Sequence, residues 1–232
     1  MPSLSEYNKE KFLTLETDHR ESRLRKAAAM ILSEPAGRLL DIGCGSGSFS
    51  ARFLDAGFAV AGIDMTEEQV AAARVRGLDA RVHDLGSGPL PFPEQSFDAV
   101  FAGEVIEHVV DTTAFLSDIR RVLKPHGCVV LTTPNLASAE NRLRLLFGFY
   151  PIWTEYRLEG GQGHVRSYTM KTLVSHLRET GFAVERVKGN WVPFVPQKFA
   201  DDIRRPFLAP TGDWFPGLSM DLIVKARKSA RL

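Results

Sequence analysis

The sequence predicts an α/β fold built on a doubly wound, mostly parallel sheet. Three observations carry that prediction. Short apolar runs alternate with helical patterns from residue 39 to residue 131, as βαβ units require. A glycine-rich turn, Gly43-Cys44-Gly45-Ser46-Gly47, follows the first apolar run. Acidic residues, Asp64 and Asp84, stand where the next two runs end.

The strands are expected at 39–42, 59–63, 80–82, 97–102 and 128–132. Helices at 47–56, 67–76 and 112–123 connect them, each with apolar residues at helical spacing and a stop signal behind it. Those signals are Gly57, Gly77 and the run Lys124-Pro125-His126-Gly127. Right-handed crossovers then put helices on both faces of the sheet. An extra helix at 20–32, with Ala27, Ala28, Ile31 and Leu32 on one face, is expected to pack over the ligand edge. A helix at 170–180 and strands at 183–188 and 220–226 complete the pattern. Two segments, at about 135–168 and 189–218, are far longer than an ordinary connection and are expected to be functional lids or binding loops of one domain spanning 1–232.

Composition excludes several classes of function. With 44% hydrophobic and 25% charged residues, the chain of 232 residues reads as an ordinary globular domain. A net charge of +1 gives no global field for nucleic acid or anionic lipid, which argues against a nucleic-acid partner. The basic clusters at Arg20, Arg23, Arg25 and Lys26 and at Lys225, Arg227, Lys228 and Arg231 read as solvated surface. Two cysteines, Cys44 and Cys128, and a start without the layout of a signal peptide point to a reducing cytoplasm. No uninterrupted apolar run approaches membrane-spanning length, so a soluble protein is expected, monomeric or homodimeric, with peripheral membrane contact left open.

The glycine turn lets a ligand touch backbone, although a tight strand-to-helix turn needs glycine in any case. Its spacing differs from the dinucleotide fingerprint G-x-G-x-x-G, so it suits a ligand without phosphates. A carboxylate at Asp64 suits a pair of ribose hydroxyls, and one at Asp84 an adenine amino group. Either residue by itself is as readily a turn or cap residue. Together with the glycine turn they lie at successive strand ends, on the carboxyl edge where parallel sheets bind ligands.

These residues resemble those of the class I S-adenosylmethionine methyltransferases, over 39 to about 188. The matching segments are D-I-G-C-G-S-G, G-I-D at 62–64, H-D-L at 83–85, P-F-P-E-Q-S-F-D-A-V and R-V-L-K-P-H-G. The resemblance implies a Rossmann-like methyltransferase fold of seven strands, the last of them antiparallel, with S-adenosylmethionine as cofactor. It implies that backbone at Gly43, Cys44, Gly45 and Gly47 holds the methionine part, supported by Asp41. Asp64 with Met65 would hold ribose, Asp84 with Leu85 would frame adenine, and Glu104 would help position the cofactor.

Glu104, Glu107 and His108 follow the fourth strand, and in a helical turn they face the same way at i, i+3 and i+4. Two carboxylates and an imidazole make a plausible set for a divalent cation, magnesium or manganese, with His164 as a further ligand delivered by the first long segment. In the alternative, no metal binds and His108 is a general base. The E-x-x-E-H motif with a later G-x-H is similar to two subfamilies, the ubiquinone-pathway O-methyltransferases and the RNA 3′-terminal 2′-O-methyltransferases. In both, the residues matching Glu104, Glu107, His108 and His164 accompany a cation that holds neighbouring substrate oxygens.

The expected activity is therefore O-methylation of a small or lipid-linked acceptor. A glycan or glycoside hydroxyl is the first choice, and a catechol or quinol the second; a non-catalytic cofactor-binding module is the reading from another class. The segment from Asn141 to Trp153, apolar with two arginines, Arg142 and Arg144, reads as a packed lid, with a lipid-facing surface or a subunit interface as alternatives. The segments at about 135–168 and 189–218 are expected to build the acceptor pocket, with Trp191, Phe194, Phe199, Phe207, Trp214 and Phe215 of the second lining it.

Overall fold

The computed structural model describes residues 22–154, 163–193 and 205–230. Its sheet is formed by β1 (Arg38–Ile42), β2 (Ala59–Asp64), β3 (Asp79–Val82), β4 (Phe97–Gly103), β5 (Leu123–Pro134), β6 (Phe182–Gly189) and β7 (Asp221–Lys228). The order is β3-β2-β1-β4-β5-β7-β6. Strands β1 to β5 pair in parallel, and β7 runs antiparallel between β5 and β6. The doubly wound fold with an antiparallel last strand is thus the fold the chain adopts. Strand order reverses between β1 and β4, and the crevice outside their carboxyl ends is where such sheets take ligands.

The central strands are mostly apolar because both faces are covered, with polar residues such as Asp41, Thr132 and Thr133 toward their carboxyl ends. Neighbouring residues feed opposite cores: Leu40, Ile42, Val129 and Leu131 join one, Leu39 and Val130 the other. The first core packs under α4 (Thr112–Val122) and α6 (Met170–Glu179), through Leu116, Ile119, Leu173 and Leu177. The second packs under α1 (Ser22–Leu32), α2 (Ala51–Asp55) and α3 (Glu67–Val75), through Ile31, Phe53 and Val70.

Several boundaries differ from expectation, each for a local reason. Helix α2 starts at Ala51 and not at Gly47, because Gly43, Gly45 and Gly47 all take positive φ and the chain is still turning there. Strand β5 starts at Leu123, and a register irregularity opposite Phe97 and Ala99 absorbs the expected stop at 124–127, with His126 at φ +62°. Two helices interrupt the long segments, α5 (Ala139–Leu146) and α7 (Arg205–Trp214), the second with Pro210 inside it. Of the expected helix at 20–32, residues 20 and 21 lie outside the described residues.

The basic clusters are only in part solvated surface: Arg25 is exposed, Arg20 lies outside the described residues, and Lys26, Lys225 and Arg227 are built into the fold. Lys26 Nζ donates to the carbonyls of Gly189, Asn190 and Ala209 and to Asp213 Oδ1, which fastens α1 to the end of β6 and to α7. Lys225 is buried and bonds Met30 O, Ser33 and Glu34, while Arg227 bridges Glu34 and Glu185. The Arg227 guanidinium pulls the Glu34 carboxyl down to about 2. Arg231 lies outside the described residues. Lys26→Met removes the donor for three carbonyls at once, and a loss of about 1–2 kcal/mol is expected in urea unfolding. An unchanged midpoint would show that water replaces the ammonium without cost.

Candidate active site

One wall of the site is built from the first two strand ends. Gly43 and Cys44 both donate their amides to Ile63 O, which folds the glycine turn across the end of β2. Asp64 then takes Gly45 N on Oδ2 at 3.0 Å and Thr66 N on Oδ1 at 3.1 Å. A side chain at Gly43 would stand 2.9 Å from Val105, and one at Gly62 would stand 2.7 Å from Cys44 Sγ, so both positions need glycine for close approach. Asp84 accepts from Gly86 N at 2.8 Å and so shapes the turn after β3.

Asp41 lies buried beneath this turn. Its Oδ2 accepts from Ser50 Oγ, and its Oδ1 has no hydrogen-bond partner among the described residues. Burial raises its pKa from 3.8 to about 7, against the opposing pull of the Ser50 hydroxyl.

A cavity of about 1330 Å³ runs along these strand ends. Asp41, Gly43, Cys44, Gly45, Asp64, Met65, Asp84, Leu85 and Glu104 all line it. Gly47 does not: a side chain there would press on Ala73 and Leu78, so its glycine serves the packing of α3 against the turn. The volume exceeds the ~300–1,000 Å³ of a typical single-ligand pocket, which leaves room for a cofactor and a second molecule.

The chemical end differs from the expected helical face. Glu104 takes a left-handed φ of +56°, and the chain then forms a 3-10 turn over Ile106–His108, so Glu104 does not share a face with Glu107 and His108. Its Oε1 accepts from Thr132 Oγ1 at 2.8 Å, and its Oε2 pairs with Arg23 at 2.5 Å. A non-glycine residue in this region is strained and survives where the surroundings fix it. Glu104 therefore stands outside the expected metal set.

The other three expected ligands converge. Glu107, His108 and His164 each offer one ligand atom, and these lie within 4.8 Å of one another. The backbone brings them together, because Val165 N and Arg166 N both donate to Glu107 O. His108 Nδ1 bonds Gly163 O at 3.0 Å and His164 Nδ1 bonds Trp153 O at 2.8 Å. A carbonyl can only accept, so both rings carry a proton on Nδ1, and in the neutral ring the lone pair is then on Nε2. Glu107 is buried; its Oε2 accepts from Thr133 Oγ1, and its Oε1 has no hydrogen-bond partner among the described residues. Burial holds this carboxyl well above the usual range, and the neighbouring Glu104 charge adds to the effect.

His108 faces the large cavity, whereas Glu107 and His164 wall a second one of about 10 Å³ with Thr133, Ile152 and Trp153. That is room for about one water or ion. Helix α5 borders neither cavity, so the expected lid over the pocket is not formed by it. In the second long segment Trp191 is buried in the fold, and Trp214 and Phe215 are exposed and line neither cavity. Phe194 and Phe199 lie outside the described residues, as does the side chain of Phe207. Arg23 is the residue that the sequence reading missed: it lines the large cavity and holds Glu104. Its signal was its place on α1, one turn before the apolar face.

The chain is similar to known proteins. The ubiquinone biosynthesis O-methyltransferase of Xanthomonas axonopodis pv. citri is 34% identical, over 67% of this chain and 67% of its own length. The demethylmenaquinone methyltransferase of Tropheryma whipplei (strain Twist) is 33% identical over 60% of this chain, and the match spans 57% of that relative's length. In solved structures, an S-adenosylmethionine dependent methyltransferase from Mesorhizobium loti superposes with a TM-score of 0.60 at 25% identity, covering 89% of this chain and 97% of that one. The methyltransferase domain family matches residues 16–187, which takes in α1, the glycine turn, Asp64, Asp84 and the Glu107–His108–His164 cluster. With that span and that site, the chain belongs to the S-adenosylmethionine-dependent methyltransferase family.

Proposed function

We propose that this protein moves a methyl group from S-adenosylmethionine to a hydroxyl of a small acceptor carrying two neighbouring oxygens, with a divalent cation at Glu107, His108 and His164. The observation that carries the reading is the cluster itself: a buried carboxylate with an unpartnered oxygen beside two imidazoles whose Nδ1 bonds direct Nε2 as the ligand atom. Metal-bound histidines are held by such outer hydrogen bonds. A divalent cation bound there lowers the pKa of an acceptor hydroxyl and fixes neighbouring oxygens.

The cofactor fits the residues present. The glycine at 43 leaves a cradle that a Cβ would fill, and Asp41 offers an unpartnered carboxylate oxygen to a cationic ligand. In this reading Gly43, Cys44 and Gly45 hold the methionine part with Asp41 beneath it. Asp64 and Met65 hold ribose, Asp84 and Leu85 frame adenine, and the Glu104–Arg23 pair closes the methionine end. The transferable methyl is the cofactor's contribution; the chain's own task is to align it with the acceptor and exclude water, worth up to ~7–11 kcal/mol in favourable cases.

Phe101, Val105, Val109 and Phe115 line the large cavity, and apolar walls of this kind suit an aromatic ring better than a glycan. Together with the quinone-pathway names of the relatives, they favour a catechol-like or quinol acceptor. Cys44 and Cys128 are buried free thiols, as suits a protein working in the cytoplasm.

The test is turnover with a soluble catechol, with and without chelator. Chelation is expected to lower activity at least tenfold, and magnesium or manganese to restore it. His164→Ala should reduce manganese uptake in equilibrium dialysis while leaving S-adenosylhomocysteine binding intact. Full activity in excess chelator would overturn the metal and leave His108 Nε2 as the base; methylation of a glycoside in place of the catechol would overturn the acceptor.

A further inference from the structure

The segment that carries α5 stands out from the body of the protein. Asn141 is the buried residue of the helix, and it closes the base of the protrusion: its Oδ1 accepts from Ile152 N at 2.8 Å and its Nδ2 donates to Ile152 O at 3.3 Å. Above that base the chain turns back on itself, with Phe149 N donating to Arg144 O and Arg144 Nε to Tyr150 O. The side chains at the tip are large, apolar and in water. Leu146 is 75% exposed, Phe147 70% and Phe149 63%.

Two further features decide what covers this tip. Leu143 and Leu145 lie two residues apart, so they point to opposite sides of the helix, and each is 57% exposed. A contact with a second copy covers one side of a helix; apolar side chains exposed on opposite sides suit immersion in a fluid apolar phase. Helix α5 and the turn after it carry two arginines, Arg142 and Arg144, against one acidic residue, Glu140, which lies 3.8 Å from Arg144 at the base of the helix; from residue 141 to residue 154 there is no other. Leucine and aromatic side chains with arginine at their flank make up the composition of a membrane-interface anchor.

We propose that the protrusion formed by α5 and the turn after it inserts into the surface of an anionic lipid bilayer. The far leg of the protrusion ends at the candidate metal cluster, since Trp153 O accepts from His164 Nδ1 and Ile152 and Trp153 wall the small cavity. Insertion therefore brings the cluster toward the lipid surface, where an acceptor with a lipid tail would be presented. That last consequence rests on the acceptor class proposed above; the insertion itself does not.

Flotation with vesicles tests the insertion without any turnover, so its failure is distinct from failure of the proposed reaction. The protein should float with vesicles of phosphatidylcholine containing phosphatidylglycerol and bind at least tenfold less to phosphatidylcholine alone. The double variant Leu146→Glu, Phe147→Glu should lose at least tenfold in partitioning to the anionic vesicles, with wild-type melting and wild-type affinity for S-adenosylhomocysteine. If that variant melts early, Phe147→Ser carries the same comparison at lower amplitude. Absence of binding to either vesicle, or equal binding by wild type and variant, would overturn the proposal. So would a dimer in light scattering that the same substitutions disperse, because the tip would then be covered by a second copy.

Discussion

Asp64→Ala is expected to weaken binding of S-adenosylhomocysteine by roughly 10- to 150-fold, as isothermal titration would read it. The figure is the loss of a charge-assisted hydrogen-bond partner for the ribose hydroxyls, about 1.5–3 kcal/mol. Two effects add at this position, because the same carboxylate holds Gly45 N and Thr66 N and so sets the shape of the glycine turn. Asp64→Asn separates them. Its amide oxygen still accepts one backbone bond, so part of the turn survives while the charge is gone. A folded Asp64→Ala variant of unchanged affinity would mean that the carboxylate serves the turn and not the ligand.

Asp41→Asn should raise stability above pH 7 and lower cofactor affinity there. The carboxyl titrates at about 7 in the folded protein against an ordinary 3.8, because burial disfavours its charge. The folded state therefore holds the proton through the interval between those values while the unfolded chain has lost it. Stability is highest below about 4, falls as pH rises toward 7, and stays low above it, by on the order of 4 kcal/mol in all. Asparagine has no charge to bury, so the variant's stability should lack this slope while an oxygen still accepts from Ser50. Cofactor binding runs the other way: the cationic ligand favours the ionised carboxylate, so wild-type affinity should climb through pH 7 and the variant's should not. Parallel stability curves for the two proteins from pH 4 to 8 would contradict the assignment.

What could be read from the sequence, and what could not, divides along the range of the interactions. β1, β4 and β5 are legible because strands covered on both faces carry runs of consecutive apolar residues, a local property. Asp64, Asp84 and the glycine turn were legible because the ends of parallel strands are fixed by the strands themselves. The start of α2 was misread because the three positive-φ glycines carry the turn on to Ser50. The E-x-x-E-H face was misread for a similar reason: its spacing implies an α-helix, and the strained Glu104 followed by a 3-10 turn rotates that residue out of the set. Arg23 and Lys26 read as surface because a basic residue on an amphipathic helix looks the same in sequence whether its partner is water, a carboxylate or a carbonyl. The partners of Lys26 lie more than 160 residues further along the chain.

That last separation has a consequence for the order of assembly. The glycine turn, Asp64, Asp84 and Glu104 all belong to the first half of the chain, so a nascent or truncated fragment ending just after Glu104 contains every residue proposed above to hold the cofactor, though not the cavity wall from Val105 to Arg121. It lacks the means to keep α1 in place, since Lys26 is anchored on the carbonyls of Gly189, Asn190 and Ala209 and on Asp213. Arg23 rides on the same helix and reaches Glu104 only when that helix is seated. Contacts of such long range form late, after the entropy of closing a large loop has been overcome. Cofactor affinity is thus a report on the whole chain: the first part of the site to be synthesised is the last to be completed.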